Sequence, residues 1–155
     1  MPESIPMPDF LRGLSVKIDL RYDCAGVDWN IVSETLRDVG MAYYEPLVHK
    51  KAFENSRTCV FVYNEGRLIG FGRAISDYAY QAAIYDVAII PEFQRQGLGT
   101  TIIRTILSQL PHCNFILYAF PGKEDFYRKL GFRKMKTGMA RFANEAKMRQ
   151  RGFTE

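Results

Sequence analysis

The stretch that decides the fold is Ala82–Thr101, which reads AAIYDVAIIPEFQRQGLGTT. Its first part, Ala82 to Ile90, is a nearly continuous apolar segment that predicts a buried strand, and Pro91 ends it. A polar loop follows, and an amphipathic helix is then predicted from Gly97 to Leu110 because apolar residues recur at helical spacing. A strand that leads through such a loop directly into a helix is a favourable setting for a phosphate group.

The loop has the composition that phosphate binding requires. Its pattern is Q-x-x-G-x-G followed by a hydroxyl residue, formed by Gln94, Arg95, Gln96, Gly97, Leu98, Gly99 and Thr100. A helix N-terminus presents unpaired N–H groups and a partial positive charge, and glycines let a phosphate approach the backbone closely. Taken alone, a tight strand-to-helix turn explains the glycines equally well.

Two better-known phosphate-binding motifs are excluded. No Gly-Lys-Ser/Thr follows the loop, so it is not a Walker A sequence. The glycine order also differs from the G-x-G-x-x-G fingerprint of dinucleotide-binding folds, and no second βα unit follows.

Outward from this stretch, the pattern predicts an α/β sandwich with a mixed sheet. Before it we expect a strand, two helices and a hairpin, over Val16–Tyr22, Asp28 to about Val39, Leu47–Asn55, Thr58–Tyr63 and Leu68–Ser76. Asp28 can cap the first helix, and residues 64–67, NEGR, supply the turn of the hairpin. After it we expect a strand, a helix and one or two final strands, over Phe115–Phe120, Lys123–Leu130 and Phe132–Arg141. Gly70 and Gly72 predict a bulge or a close backbone approach in the second hairpin strand.

Length and composition predict one globular domain. The chain has 155 residues, of which 47% are hydrophobic and 25% charged. We expect an irregular lead-in over residues 1–13, which hold three of the 7 prolines, and a single domain over residues 14–155. The longest apolar run, residues 115–120, is far shorter than a membrane span, and the N-terminus MPESIPMPDF does not resemble a signal peptide. We therefore expect no membrane partner.

Cysteine and histidine usage argues against a metal site. The three cysteines lie far apart, and His49 and His112 are isolated in the sequence. We therefore expect no zinc site and no disulfide framework, and we predict a reducing, cytoplasmic environment. Residues 1–90 carry 9 Lys/Arg against 12 Asp/Glu, whereas residues 91–155 carry 12 against 5. This asymmetry suggests an anionic partner for the second half, either a polyphosphate cofactor or nucleic acid, unless it is only a solvated face.

Two motifs together carry a resemblance to a known family. The loop Gln94–Gly99 after a buried strand resembles the acetyl-coenzyme-A-binding motif of the GCN5-related N-acetyltransferase (GNAT) superfamily. Downstream, residues 126–132, FYRKLGF, resemble the late helix-to-strand element of that family. The resemblance implies a mixed, mostly antiparallel central sheet with helices on both faces, splayed at its two central strands. It also implies an acyltransferase that uses acetyl-CoA as co-substrate and needs no metal.

The resemblance assigns a role to each part of these motifs. The loop from Gln94 to Thr100 would cradle the pyrophosphate of acetyl-CoA with its backbone N–H groups. Val87, Ala88 and Ile89 would bind the pantetheine arm through the main chain, and Tyr127 would protonate the departing thiolate. The chain departs from the family pattern at Pro121-Gly122, where many members carry an asparagine.

Asp86 is the candidate general base. It is the only acid in the apolar strand, and such a carboxylate needs a partner. An alkylamine is mostly protonated at pH 7, and freeing its lone pair costs roughly 4–5 kcal/mol. Asp86 would take that proton directly or through a water chain. The alternative is a structural acid paired with an arginine such as Arg73.

The acceptor is less defined by the sequence. We expect a primary amine of a small molecule, and an aromatic amine if nearby aromatic residues stack on it rather than fill the core; these are Tyr43, Tyr44, Phe53, Tyr78, Tyr80, Tyr118 and Phe120. A peptide acceptor and a non-catalytic acyl-CoA-binding module are the alternatives. No recognised nucleic-acid motif is present, so we expect no nucleic-acid partner. The resemblance leaves monomer and homodimer open.

Overall fold

The computed structural model describes Leu14 and Val16–Glu155, and the lead-in predicted over residues 1–13 lies outside this range. The chain divides into two compact units, residues 1–117 and 118–155. The first unit contains β1 (Asp19–Arg21), α1 (Trp29–Asp38), α2 (Pro46–Glu54), β2 (Thr58–Asn64), β3 (Arg67–Ser76), β4 (Gln81–Ile89), α3 (Leu98–Gln109) and β5 (Asn114–Ile116). The second unit contains α4 (Glu124–Arg128) and α5 (Glu145–Gln150).

The five strands form one mixed sheet in the order β1-β2-β3-β4-β5. The first four strands are antiparallel, and β5 joins β4 in parallel after the crossover through α3. The predicted hairpin is confirmed: the turn between β2 and β3 places Glu65 at φ 49° and Gly66 at φ 79°. Two successive residues with positive φ match the twist of a two-residue hairpin.

The sheet carries helices on both faces, as the fold class predicts. Alternate residues of β2, Cys59 and Phe61 among them, join the core under α1 and α2 together with Phe53 and Phe71. On the opposite face, a Cβ added to Gly72 would lie 2.6 Å from Cγ2 of Ile102 in α3. The predicted close approach is therefore confirmed, since only glycine leaves room for α3 this near the strand.

The helix boundaries follow from local chemistry. Asp28 caps α1 by accepting a hydrogen bond from the N–H of Asn30 at 3.0 Å, as the sequence predicts. Pro46 occupies the first turn of α2, where its missing N–H costs nothing. No helix in the described part of the chain is long and apolar enough to cross a membrane.

Two strand predictions near the C-terminus are wrong. The strand expected over Phe115–Phe120 ends at Ile116, and the segment expected to form final strands, Phe132–Arg141, contains no strand. Tyr118 and Phe120 instead pack edge-on against Phe153 within the second unit, at 5.7 and 5.8 Å. Residues 132–141 contain four Lys/Arg and a single β-branched residue, a composition that does not sustain a strand. The strand predicted over Val16–Tyr22 is also shorter, at Asp19–Arg21.

Candidate active site

Asp86 lies in a β-bulge of β4. Pairing of β3 with β4 shifts between Phe71 and Arg73, so that Asp86 and Val87 lie opposite the single residue Gly72. Asp86 adopts φ 54°, in the left-handed region that most side chains avoid. Such strain persists only where the surroundings hold it, and it is concentrated at functional sites.

Asp86 is held by an arginine from the neighbouring strand. Nε of Arg73 donates to Oδ2 of Asp86 at 2.7 Å, and both side chains are largely buried. The Nη1 group of Arg73 donates to Oγ of Ser56 at 3.1 Å. The guanidinium also lies 5.3 Å from the ring centre of Tyr85 and 5.7 Å from that of Phe53. The ion pair proposed as the structural alternative for Asp86 is therefore present, and it fixes one carboxylate oxygen.

The second carboxylate oxygen is differently placed. Within the described residues, no hydrogen bond reaches Oδ1 of Asp86. The carboxylate side chain keeps 20% of its surface exposed. Asp86 can therefore accept a hydrogen bond from an incoming donor without losing its bond to Arg73.

The loop after β4 turns through two left-handed residues into α3. Arg95 has φ 61° and Gly97 has φ 82°, and Gly97 is the N-cap of α3 without a side-chain capping bond. The first helical N–H with a backbone acceptor is that of Thr101, which donates to the carbonyl of Gly97 at 3.0 Å. The N–H groups of Leu98, Gly99 and Thr100 precede it and have no acceptor inside the helix. These groups and the helix dipole provide an anion-binding end.

Side chains of the loop divide into structural and exposed ones. Nε2 of Gln94 donates to the carbonyl of Ile89 at 3.0 Å and so ties the loop to the end of β4. The hydroxyl of Thr101 donates to the carbonyl of Gly97 at 3.1 Å and is buried. Arg95 is exposed, while Gln96 and Thr100 are half-buried beside the helix N-terminus.

Part of the β4 backbone has no strand partner, within the described residues, on the side that faces away from β3. Its parallel pairing with β5 covers only Gln81 to Ala83, opposite Asn114 to Ile116. Among the described residues, no strand pairs with β4 on this side from Ile84 to Ile89. The predicted splay between β4 and β5 is thus present. These strands lie at the end of the sheet and not at its centre, because no strand follows β5 in the described part of the chain. Val87, Ala88 and Ile89 lie in this open segment.

Tyr127 belongs to the second unit, where it lies on α4. Its ring packs at 4.9 Å from that of Phe126 and at 5.9 Å from that of Phe132. Its carbonyl accepts hydrogen bonds from the N–H groups of Leu130 and Phe132, because Gly131, at φ 91°, reverses the chain. Burial raises the pKa of the Tyr127 hydroxyl above its ordinary value of 10.0, which keeps the phenol protonated at neutral pH.

The structure adds one residue that the sequence did not single out. His49 on α2 is buried, and its pKa is lowered from the ordinary value of 6.5 by burial, with Asp86 raising it and Arg73 lowering it. An isolated histidine in a sequence does not indicate what will surround it. The position of His49 beside the Arg73–Asp86 pair can be recognised only in the folded structure. The predicted aromatic set divides: Phe53 is fully buried, whereas Tyr43 and Tyr44 are exposed.

Metal-binding clusters are not part of this site. In Leu14 and Val16–Glu155, no three His, Cys, Asp or Glu side chains are grouped so that they could hold a metal ion. Cys24, Cys59 and Cys113 are all free thiols, and burial raises the pKa of Cys59 to about 12.

The mixed sheet, the open segment of β4 and the uncapped N-terminus of α3 match the arrangement that the family resemblance implies. The sequence profile of the acetyltransferase (GNAT) family matches residues 25–132. The chain therefore belongs to the GNAT family, and the predicted family and fold class are confirmed.

Similar proteins are named as N-acetyltransferases. The N-acetyltransferase ycf52 of Gracilaria tenuistipitata is 38% identical over 117 residues, which cover 74% of this chain and 60% of that relative. GCN5-related N-acetyltransferase 1, chloroplastic, of Arabidopsis thaliana is 30% identical over 118 residues, which cover 73% of this chain and 60% of that relative. The chain thus spans about three-fifths of the length of these relatives.

Solved structures support the fold. The crystal structure of a probable acetyltransferase from Staphylococcus aureus superimposes with a TM-score of 0.72 at 22% identity. The superposition covers 83% of this chain and 99% of that one. At this identity the likeness speaks for the fold and not for the acceptor.

Proposed function

We propose that the protein transfers an acetyl group from acetyl-CoA to a primary amine of a small molecule by direct attack. The observation that carries the proposal is the continuity between three features of the first unit: the Asp86 bulge, the unpaired edge of β4 and the uncapped N-terminus of α3. Together they offer a polar group for an amine, main-chain groups for an amide-containing arm and an anion site for a diphosphate.

The residues present fit the donor. Leu98, Gly99 and Thr100 would offer N–H groups to the pyrophosphate, and Gly97 adds no side chain of its own beside them. Exposed Arg95 and half-buried Gln96 would flank it, while Gln94 would hold the loop against β4. Val87, Ala88 and Ile89 would pair with the pantetheine amides and donate an N–H to the developing oxyanion. Acetyl-CoA, when bound, supplies the acetyl thioester and a thiol leaving group.

Asp86 would act on the acceptor. Its Oδ1 atom is free of described partners, so it can accept a hydrogen bond from the ammonium and receive the proton directly or through water. Arg73 fixes Oδ2 and thereby sets the direction of the remaining lone pairs. In this proposal the structural and functional interpretations of Asp86 are complementary, because each uses a different carboxylate oxygen.

Tyr127 would supply the acid. Its raised pKa keeps the phenol in the protonated state that a donor to a thiolate requires. Within its unit, the two flanking phenylalanine rings restrict its rotamers and so its direction.

The three free thiols favour a reducing compartment. We propose that the protein resides in the cytoplasm. The chloroplast, which the name of the Arabidopsis relative gives, is the other reducing compartment to examine. Fluorescence microscopy of the tagged protein distinguishes the two.

The direct test combines binding and turnover. We expect titration calorimetry to detect acetyl-CoA binding, and a thiol-release assay over a panel of alkyl and aromatic amines to detect turnover with at least one of them. Mass spectrometry of short peptides offered in parallel should show no gain of an acetyl group. Native protein that binds acetyl-CoA yet acetylates neither amines nor peptides would point to a non-catalytic binding module. Acetylation of peptides alone would overturn the small-molecule acceptor.

A further inference from the structure

Tyr44 is held on both sides by side chains from two different helices. Its backbone N–H donates to Nε2 of His49 on α2 at 2.9 Å. Its carbonyl accepts a hydrogen bond from Oγ of Ser33 on α1 at 2.6 Å. Residues 41–45, which connect the helices, form neither helix nor strand. The two bonds therefore act as a clamp, defined by Ser33, Tyr44 and His49, on an otherwise irregular segment.

The clamp specifies the protonation state of His49. A nitrogen that accepts a hydrogen bond carries no proton, so the imidazole is neutral and its hydrogen lies on Nδ1. Proton uptake at Nε2 would place an N–H group against the N–H of Tyr44. The hydrogen bond would then be replaced by a repulsive contact in a buried position, since His49 is only 3% exposed.

The charges around His49 come from the sheet. Asp86 on β4 raises its pKa and Arg73 on β3 lowers it, while burial is the largest effect and lowers it. The charged residues on its own helix are Lys50, which is half-buried and pairs with exposed Glu54 at 3.8 Å, and Lys51, which is exposed.

On α1, Glu34, Arg37 and Asp38 are exposed, and Arg37 pairs with Asp38 at 3.1 Å. Because the folded pKa of His49 lies below 6.5, the neutral clamp is intact at pH 7. It is lost as the pH falls through that lowered value.

Helix α2 links the clamped segment to the Asp86 site, because His49 contacts Tyr44 and lies within range of the Asp86 and Arg73 charges. Phe53, one helical turn after His49 on α2, lies 5.7 Å from the guanidinium of Arg73, which binds Asp86. The ring of Tyr44 lies 5.8 Å from that of His49. The side chains that the segment carries, Tyr43 and Tyr44, are exposed and therefore available to a ligand. Their aromatic faces suit an amine with an aromatic or cationic group.

We propose that His49 is a positioning residue, whose neutral imidazole holds the Tyr43–Tyr44 segment in place for the amine acceptor and whose protonation releases that segment. The proposal rests on the proposed acetyl transfer at Asp86. It predicts that acid conditions weaken acceptor binding while leaving the binding of acetyl-CoA unchanged.

The first test needs no catalysis. In a pH titration by nuclear magnetic resonance, the amide signal of Tyr44 should follow the ionisation of His49 and move away from its hydrogen-bonded position as the pH falls. His49→Gln places an amide oxygen where Nε2 was, so the Tyr44 signal should stay hydrogen-bonded and pH-independent. His112→Gln, at the exposed second histidine, is the matched control and should titrate like the wild type. A Tyr44 signal that ignores the ionisation of His49 overturns the clamp.

The second test is kinetic. The quantity to follow is the acceptor KM of the wild type divided by the acceptor KM of His49→Gln at the same pH. As the pH is lowered from 7.5 to the lowest value at which both proteins remain folded, this ratio should rise about five- to tenfold. This ratio removes the effect of protonation of the amine itself. Ser33→Ala should raise the acceptor KM at every pH without changing its pH dependence. A flat ratio, with active enzyme, overturns the role in acceptor binding. Absence of any amine acetylation would instead defeat the proposed function, and the Tyr44 titration would still decide the clamp.

Discussion

Arg73 donates from Nε to Oδ2 of Asp86 at 2.7 Å, and this bond joins β3 to the bulge of β4. The bond satisfies the charge of a largely buried carboxylate on a residue whose backbone has positive φ. One interaction thus compensates the buried charge and directs the remaining carboxylate oxygen. A structural role and a chemical role at the same residue can be separated by experiment because they respond differently to removal of the partner.

We expect Asp86→Asn to reduce both stability and turnover. Asparagine tolerates a positive φ, so the backbone stays in place, but the guanidinium of Arg73 loses its counter-charge. The free energy of unfolding should fall by about 1–3 kcal/mol, measured by urea denaturation. Turnover should fall roughly a hundredfold if the carboxylate removes the acceptor proton.

The double variant Arg73→Met/Asp86→Asn separates the two roles. Removing both charges should restore most of the lost stability, because no uncompensated charge remains. Turnover should stay low, since the base is still missing. Recovery of turnover together with stability would show that Asp86 serves only the ion pair.

Gly97→Ala should weaken acetyl-CoA binding. Gly97 has φ 82°, and an alanine with this φ would be strained by roughly 1 kcal/mol. A backbone shift that relieves the strain would turn the N–H groups of α3 away from the diphosphate. We expect a five- to tenfold rise in Kd by calorimetry. Gly26→Ala is the matched control, because Gly26 also has positive φ, at 68°, and an added Cβ there meets nothing within 4 Å. Equal losses of affinity in both variants would argue against a role for the loop.

Gly72→Ala should destabilise the first unit by about 1–3 kcal/mol. The new Cβ would lie 2.6 Å from Cγ2 of Ile102 and 3.1 Å from Cγ2 of Val87. The atom on Ile102 is attached at a β-branch and cannot rotate away freely, so α3 must move outward. Because Val87 belongs to the bulge, we also expect altered amide signals at Asp86. Unfolding at an unchanged urea concentration would contradict this packing argument.

The sequence predicted most of the elements that are determined by residues close together in the chain. The cap at Asp28, the turn at Glu65 and Gly66 and the strand-to-helix loop at Gly97 each leave a pattern in neighbouring residues, and each is present. Gly70 and Gly72 predicted a close approach, but not that α3 is the element that approaches.

What the sequence could not predict depends on contacts between distant residues. The partnership of His49 with Tyr44 and the Asp86 charge arises only after α2 packs on the sheet. The apolar run from Phe115 to Phe120 resembles a strand, yet its second half is organised by rings at Phe142 and Phe153, which lie more than twenty residues away. Short apolar runs do not report which partner will bury them.

Tyr127→Phe should reduce turnover about tenfold to a hundredfold while leaving the Kd of acetyl-CoA nearly unchanged, because it removes one hydroxyl and keeps the ring packing against Phe126 and Phe132.

The pH dependence of turnover follows from the same hydroxyl. Burial raises the pKa of Tyr127 above 10.0, and the protonated donor is lost as the pH rises through this raised pKa. Wild-type kcat should therefore show an alkaline limb above pH 10, and the variant should lack it. The same sign applies to stability: the neutral phenol favours the fold, and this contribution disappears at the same alkaline pH. Tyr22→Phe, at an exposed tyrosine outside the candidate acceptor set, is the control and should keep both the rate and the limb. A full rate with Tyr127→Phe, measured by thiol release, would assign proton donation to solvent instead.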